Sequence, residues 1–598
     1  MKRDPRFDIL FEPVNIGPVT ARNRFFQVPH CNGMGYVRPK SLAEMRGIKA
    51  EGGWSVVCTE EVWIHHSSEN VPLAEGILWD DGDIPALAKM TEAVHKHGSL
   101  AGIELQHNGY CSTNHYSRIP PIAPSAISVN SYDPVQARAM DKSDIRNFRK
   151  WHRKAALRAK QAGFDLIYVY AAHGGTLLTH FLSRRINKRT DEYGGSLENR
   201  VRLFRELIED TKEAVGDRCA VAVRFAVEEF LGPMGITSEN EGREIVEMLS
   251  ELPDLWDVNI SNWSKDSASS RFESEGHQES YIGFVKSLTS KPVVGVGRFT
   301  SPDKMVSQIQ HGIMDMIGAA RPSIADPFLP KKIEEGLIEE IRECIGCNIC
   351  VMSDQFSVPI RCTQNPTMGE EWRRGWHPER INPRKSDDGV LVVGGGPSGL
   401  ECALALGQRG YRVILVEASA ELGGRVSRES RLPGLAEWGR VRDYRQLMLE
   451  RLSEVSIYPE NHLSAEEIIE FSAEDHFDFS HVLLATGATW RRDGIGRKHR
   501  EPIQGLEQLP VFTPDDIMDG VSVKGRVVVF DDDHFYMGGV LAEKLRREGH
   551  EVLLVTPAPE ISIWTKWTLE QTQVQKQLIE LGVELAPQTD LAAVHAGM

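Results

Sequence analysis

Pro292-Val-Val-Gly-Val-Gly-Arg298 and, shortly after it, Met314-Asp-Met-Ile-Gly-Ala-Ala-Arg321 decide how the first half of this chain is read. Each is a short apolar run that stops at glycine and arginine, the pattern of a buried parallel strand entering a loop. Working back toward the N-terminus, six more runs of this kind appear: Phe25–His30, Ser55–Glu60, Ser99–Gln106, Leu166–Ala171, Cys219–Phe225 and Trp256–Ile260. Helix-like segments lie between them, among them Asp144–Ala162, Ser196–Val215 and Glu239–Leu252. Eight strands alternating with helices predict an α/β fold whose N-terminal part is a (β/α)8 TIM barrel. Chemistry on such a barrel sits at the C-terminal strand ends. That directs attention to His30–Cys31, Glu60–Glu61, Glu104–Gln106, Tyr170–His173, Arg224, Asn262–Asp266, Gly297–Arg298 and Ala320–Arg321. Glycine amides beside arginine after strands seven and eight form the usual phosphate site of barrels, so a phosphate-bearing cofactor such as FMN fits there.

Beyond the barrel the pattern breaks. Cys344, Cys347, Cys350 and Cys362 cluster, followed by a polar, Trp- and Arg-rich connector over Glu370–Pro383. Cys-x2-Cys-x2-Cys plus a fourth thiol is the donor set of a [4Fe–4S] cluster. Zinc is the rival, although its sites usually come as two separated Cys-x2-Cys pairs. A second α/β region then begins. Val390–Val393 runs into Gly394-Gly-Gly396-Pro-Ser-Gly399, and the following strand, Arg412–Val416, ends at Glu417. Strand, glycine turn, helix and acidic strand end form a Rossmann-like dinucleotide signature. In it the helix amides hold a pyrophosphate and the acid a ribose hydroxyl. His481–Ala485 supplies a further strand. The strand-helix-strand at Arg526–Phe530, Gly538–Glu548 and Glu551–Val555 differs, because Asp531-Asp-Asp533-His-Phe-Tyr536 stands where glycines belong. Carboxylates and bulky side chains there oppose a pyrophosphate, which argues against NAD(P)H as redox partner. The expected domains are an FMN-binding barrel over 1–340 and a cluster segment over 341–385. They are followed by a Rossmann-like ADP-binding domain over 386–495 and a degenerate Rossmann-like domain over 496–598.

Composition narrows the function class. Hydrophobic residues at 41% and charged residues at 26% are an ordinary globular balance. A net charge of −16 argues against nucleic-acid binding. No window has the apolar length of a membrane span. The N-terminus, Met1-Lys-Arg-Asp-Pro-Arg-Phe-Asp8, lacks the apolar core of a secretory signal. Nine cysteines in 598 residues are too sparse for a disulfide scaffold, and with no export signal a cytoplasmic location is expected.

The combination of barrel, four-cysteine segment and glycine fingerprint resembles the old-yellow-enzyme-related iron–sulfur flavoproteins. Phe181-Leu-Ser-Arg-Arg-Ile-Asn-Lys-Arg-Thr-Asp-Glu-Tyr-Gly-Gly-Ser-Leu-Glu-Asn-Arg200 is specific to that family. Val28-Pro-His-Cys31, Glu51-Gly-Gly-Trp54, Tyr168-Val-Tyr-Ala-Ala-His173, Cys344-Ile-Gly-Cys-Asn-Ile-Cys350 and Arg373-Arg-Gly-Trp-His-Pro378 are similar to its trimethylamine, dimethylamine and histamine dehydrogenase branch. The resemblance implies an amine dehydrogenase that oxidises a small amine to an imine. Electrons leave through FMN and a [4Fe–4S] cluster bound by Cys344, Cys347, Cys350 and Cys362 to an electron-transferring flavoprotein. It implies covalent attachment of FMN at Cys31, with Pro29, Glu104, Arg224, Gly297, Arg298, Ala320 and Arg321 around the cofactor. It implies a triad of Tyr170, His173 and Asp266 near the substrate, and structural ADP at Gly394, Gly396, Gly399 and Glu417. It also implies a homodimer and a surface Tyr444 at which the electron acceptor docks.

The departures from that family bear on the substrate. Of the three rings that surround trimethylamine, only Trp263 remains; Glu61 and Asp354 replace the other two. Rings suit a methylated ammonium, each contributing ~0.5–2 kcal/mol. Carboxylates suit a primary ammonium with N–H donors to spend. Glu61 and Asp354 are therefore expected to bind substrate and to favour a histamine-like or other primary amine over trimethylamine. Gly175 stands where the family commonly has tyrosine. Family members also continue well past the position of Met598, from which either a shortened chain or a nucleotide site less complete than the fingerprint suggests is expected. Two other readings stay open: an NADPH-dependent dienoyl-CoA or ene reductase, and a non-catalytic electron-transfer partner.

Overall fold

The computed structural model describes residues 3–70, 74–129, 135–373, 375–473 and 479–595. Its chain forms two compact units. The first holds Met1–Ser267, Ser274–Cys344 and Ile349–Glu379. The second holds Ala268–Glu273, Ile345–Asn348 and Arg380–Met598. The sequence segment 341–385 is thus divided between them, and 386–598 gathers into one unit with two sheets.

The first unit is the TIM barrel expected from the apolar runs. Its strands are β1 (Phe25–Gln27), β2 (Val56–Trp63), β3 (Leu100–Gln106), β4 (Leu166–Ala171), β5 (Ala220–Ala226), β6 (Leu255–Asn259), β7 (Val293–Val296) and β8 (Met316–Gly318). Each pairs in parallel with the next, and β8 pairs with β1 to close the ring. β4 and β5 are buried at every position, which is why they read as continuous apolar runs. Helix α1 (Pro39–Glu51) follows β1. Helix α2 (Lys142–Gln161) starts at a capping box between Asp141 and Asp144 and turns Ile145, Phe148, Ala155 and Ala159 inward. Helix α3 (Leu197–Val215) is capped by Ser196.

Two apolar layers result. One lies between strands and helices. The other fills the barrel with Phe26, Val28, Val56, Cys58, Leu166, Tyr168, Ala222, Leu255, Val294 and Met316. A barrel packed through its middle leaves only its mouth for chemistry. Helix α4 (Trp263–Asp266) lies beyond β6. Helix α5 (Ile349–Gln355) belongs to the same unit.

The second unit contains two parallel sheets. The first orders β9 (Gly389–Val393), β10 (Arg412–Val416), β11 (Val455–Tyr458) and β12 (His481–Leu484) as β11-β10-β9-β12, with helix α6 (Pro397–Gln408) opening at the glycine turn. The second orders β13 (Val527–Phe530), β14 (Val552–Val555) and β15 (Glu584–Ala586) consecutively, with helix α7 (Met537–Arg547) after β13. β11 and β15 carry no sequence signal strong enough to name them: both are short, and their burial is only partial. Among the described residues, no helix is long and apolar enough to cross a membrane.

Candidate active site

Charged groups collect at the C-terminal ends of β3, β5 and β6. Arg224 on β5 lies 3.1 Å from Glu104 on β3 and 3.5 Å from Asp257 on β6, all nearly closed to solvent. Arg224 also donates to the main-chain oxygen of Pro29 at 3.1 Å. Burial pushes Glu104 up to about 8, against the pull of Arg224. Arg224 Nε faces the Asp257 carboxylate, whereas Gln106 Oε1 is buried with no hydrogen-bond partner, the state of a site built to receive a polar group. Gly297, after β7, is crowded: a Cβ there would meet Phe299 at 2.7 Å and Gly276 Cα at 2.9 Å. Arg298 adopts φ +54°, a strained setting for a non-glycine residue at a strand end. Ala320 precedes a short helix that opens with the buried Arg321. Glycine backbone, Arg298 and Arg321 at this end fit the phosphate of FMN, and the Arg224 group fits a polar ring edge.

Just below the mouth, a buried cationic layer supports Cys31. Arg46 and Lys49, both from α1 and fully closed to solvent, each approach His30 Nε2 to 2.7 Å. Two donors on that nitrogen place the ring proton on Nδ1, which donates to the Cys31 oxygen at 2.9 Å. Burial, then the charges of Arg46 and Lys49, holds His30 well below its usual range. Nothing in the sequence marks this layer: Arg46 and Lys49 read as ordinary solvated charges, and only the fold buries them.

The structure brings Tyr170, His173 and Asp266 together. Tyr170 Oη meets His173 Nδ1, and His173 Nε2 lies 3.2 Å from Asp266 Oδ2. Burial lowers His173, opposed by the Asp266 hydrogen bond. Burial alone would raise Asp266, but His173 and Arg224 outweigh it and hold the carboxyl well below the usual range. His173 itself has φ +58°. Trp263 is half-buried on the same helical turn as Asp266. A Cβ on Gly175 would meet nothing within 4 Å, so the missing tyrosine leaves open space beside the triad.

Glu61 and Asp354 both reach the neighbourhood of Cys31, and Glu75, which carries no sequence motif, joins them. Cys31 Sγ and a carboxylate oxygen from each of Glu75 and Asp354 lie within 4.8 Å of one another. Glu75 is fully closed to solvent and Asp354 is 2% exposed. Among the described residues, neither carboxylate has a hydrogen bond of normal geometry or a cation paired with it. The nearest donors are the Cys31 thiol for Glu75 and the Gly33 amide for Asp354. Glu61 lies at the end of β2, opposite Glu104 in register, and accepts from Trp63 Nε1 at 3.1 Å. Burial pushes Glu61 and Asp354 each up to about 7 and Glu75 well above the carboxylate range; repulsion adds to it, from Asp354 on Glu61, from Asp354 and Glu61 on Glu75, and from Glu60 on Asp354. Burial, and then these acids, pushes the Cys31 thiol up. Two carboxylates this deep, Glu75 and Asp354, with Glu61 beside them and no cation paired to them among the described residues, describe a receptor for a cation.

None of the four clustered cysteines is in a disulfide, and each is half-buried. Cys350 and Cys362 pack against Met34, Leu42, Met45, Ile324, Ile360 and Met368, and the Gln364 amide donates to Cys362 Sγ at 3.4 Å. Apolar shielding and an amide on sulfur suit thiolate ligation of an iron–sulfur cluster. Arg374, within the motif that ends at Pro378, lies outside the described residues.

In the second unit each glycine of the fingerprint has a distinct cause. Gly394 turns at φ +106° against the Ala485 carbonyl. Gly399 admits no Cβ, which would sit 1.8 Å from the Gly394 oxygen. A Cβ on Gly396 would meet nothing, and open space at the α6 N-terminus is what a pyrophosphate needs. Glu417 accepts from the Gly395 amide at 2.6 Å and from Ser419. These residues fit the diphosphate and ribose of ADP. The later strand-helix-strand does not invite a nucleotide. Asp531 accepts the amides of Asp533 and His534, and its carboxyl lies where a Cβ on Gly538 would be, at the α7 N-terminus. Asp532 takes the Lys498 amide at 3.0 Å. Tyr444, expected at the surface as a docking residue, is instead 8% exposed and packs with Val390, Leu400 and Leu415. It sits on the inward face of its helix, where an apolar ring is worth more than in water.

Residues 9–340 match the model of the NADH:flavin oxidoreductase / NADH oxidase family. Residues 512–597 match the OYE-like second alpha/beta domain and 389–471 an FAD dependent oxidoreductase model. Dimethylamine dehydrogenase of Hyphomicrobium sp. (strain x) is 42% identical across all of this chain and 82% of its own length. The solved 6-hydroxypseudooxynicotine amine oxidase of Pseudomonas geniculata N1 is 52% identical, with a TM-score of 0.96 over 99% of this chain and 88% of that one. Histamine dehydrogenase from Rhizobium sp. 4-9 is 53% identical, with a TM-score of 0.96 over 99% and 86% of the two chains. With barrel, mouth and full-length likeness in agreement, this chain belongs to the NADH:flavin oxidoreductase / NADH oxidase family, in the branch of the dimethylamine and histamine dehydrogenases.

Proposed function

We propose that this protein is a flavin-dependent amine dehydrogenase selective for a primary amine that carries a second cationic or hydrogen-bonding end. The observation behind this reading is the pair of buried carboxylates Glu75 and Asp354 beside Cys31, with no cation paired to either among the described residues, and Glu61 next to them, within electrostatic reach of Tyr170. A primary ammonium brings several N–H donors, and charge-assisted hydrogen bonds to carboxylates contribute about 1.5–3 kcal/mol each. A trimethylated nitrogen brings at most one. The relatives named above as dimethylamine dehydrogenase, histamine dehydrogenase and an amine oxidase act on nitrogen compounds, in keeping with this reading.

The residues divide the work. An alkylammonium must lose a proton before its carbon can be oxidised, and a carboxylate that titrates near neutrality is suited to receive it. Glu61 and Asp354 have that property. Asp266 and His173 lie together behind Tyr170, whose hydroxyl meets His173 Nδ1 and can exchange a proton with the site. Bound FMN would supply the two-electron acceptor that oxidation of the amine carbon requires. Cys31 would hold the flavin covalently, with Pro29, Glu104, Arg224, Gly297, Arg298, Ala320 and Arg321 around it. Cys344, Cys347, Cys350 and Cys362 would hold the [4Fe–4S] cluster, and an electron-transferring flavoprotein would accept the electrons. Gly394, Gly396, Gly399 and Glu417 would hold ADP in a structural role.

The test is anaerobic mixing of the purified holoenzyme with amines or with NADPH while the flavin absorbance is followed. Bleaching by a primary amine and not by NADPH is expected. Bleaching by NADPH and by no amine would replace this reading with an ene reductase.

A further inference from the structure

We propose that Asn259 is a positioning residue that decides which ring nitrogen of His173 carries the proton, and so whether Tyr170 faces the site as a hydrogen-bond donor. Asn259 ends β6 and is fully closed to solvent. Its main-chain oxygen accepts the Val227 amide at 3.0 Å, which fixes the strand end. Its side-chain Nδ2 lies 2.8 Å from His173 Nε2. Asp266 Oδ2 approaches the same ring nitrogen from α4, at 3.2 Å.

The two neighbours make opposite demands. An amide N–H needs a lone pair at Nε2, whereas a carboxylate needs a proton there, and a ring nitrogen in a neutral imidazole offers one or the other. Asn259 makes the shorter contact, through Nδ2, while its Oδ1 is buried with no hydrogen-bond partner among the described residues. Asp266 does not depend on the ring alone, because Gln278 Nε2 donates to its Oδ1 at 2.8 Å. The lone pair therefore stays at Nε2, and the proton sits on Nδ1, directed at Tyr170 Oη. The tyrosine then accepts from the histidine, and its own proton is free to point into the site. Were Asp266 to win, Nε2 would carry the proton and Tyr170 would have to donate to Nδ1. The ring is engaged at both nitrogens, by Tyr170 at Nδ1 and by Asn259 at Nε2, and the His173 backbone bridges Asn262. The groups facing His173 are Tyr170 from β4, Arg224 from β5, Asn259 from β6 and Asp266 from α4.

The experiment uses the holoenzyme labelled with 15N-histidine, compared with Asn259→Leu and the isosteric Asn259→Asp. Long-range proton–nitrogen correlation reads the tautomer of His173 directly. The wild type is expected to show protonated Nδ1 and a bare Nε2, and Asn259→Leu the reverse. Asn259→Asp replaces a donor by a second acceptor, so the His173 titration should rise by about one to three pH units. The acidic limb of amine-dependent flavin bleaching should move the same way in both variants. An unchanged tautomer, or lost activity with an unmoved pH profile, would reduce Asn259 to packing. Should Asn259→Leu fail to fold, Asn259→Asp decides alone, with an unmoved titration overturning the idea. The pH profile rests on the amine dehydrogenase reading; the tautomer does not, so failure of one is distinguishable from failure of the other.

Discussion

Replacing Asp354 by asparagine removes one charge from the carboxylate set while keeping its shape. A substrate ammonium about 4 Å from that carboxylate gains ~4 kcal/mol at an effective dielectric of about 20. Desolvation of both partners offsets part of this, leaving the about 1.5–3 kcal/mol typical of a hydrogen bond to a charged group. At 1.4 kcal/mol per decade, the loss is roughly 10- to 100-fold in affinity. Asp354 is 2% exposed, so water cannot replace what the substitution removes. The assay is an anaerobic titration of flavin bleaching with putrescine and with trimethylamine. Asp354→Asn should weaken putrescine by that factor and change trimethylamine by about threefold or less, since a methylated nitrogen has little to lose. Equal weakening of both amines would mean a packing defect. No weakening of putrescine would refute the role given to the carboxylates.

Diamine binding should tighten as pH rises through about 7, because Glu61 and Asp354 titrate there and only their ionised forms attract a cation; proton release on binding, measured by calorimetry in two buffers, checks it. The same shifts predict that the amine-free protein loses stability as pH rises from about 4.5 through 7, because the folded state binds more protons than the unfolded one in that window; thermal melts across this range read the slope. Gly399→Ala should unfold or strongly destabilise the second unit, since its Cβ would meet the Gly394 oxygen at 1.8 Å, whereas Gly396→Val should fold yet lose copurifying ADP, measured after acid release. Cys362→Ser should abolish the iron–sulfur absorbance and bound iron with the covalent flavin retained, judged by iron analysis and flavin fluorescence in gels.

All eight barrel strands were legible because parallel strands buried on both faces must be apolar throughout, and because glycine and arginine end two of them. Tyr170, His173 and Asp266 were legible as residues at strand ends. Their mutual contacts depend on the closure of β4 and β6 around the barrel. Glu61 was placed just past the end of its strand; β2 runs on to Trp63, after a register shift between Cys58 and Glu61 that sets this carboxylate opposite Glu104. Glu75 had no signal at all. A single acid between Ala74 and Gly76 reads as a solvated loop residue, and only the tertiary fold buries it beside Cys31. Asn259 was invisible for a related reason, since a strand-terminal amide gains meaning only from the ring it faces. Tyr444 failed the other way: its helical phase turns it into an apolar core, which likeness to relatives does not reveal.

If buried carboxylates rather than aromatic rings select the substrate, the relative kcat/KM of the wild-type holoenzyme for putrescine, histamine, dimethylamine and trimethylamine, measured side by side with an artificial electron acceptor, must reflect it. Putrescine or histamine should exceed trimethylamine by roughly 100-fold or more, the worth of two charge-assisted hydrogen bonds. Trimethylamine turned over as well as either would contradict it.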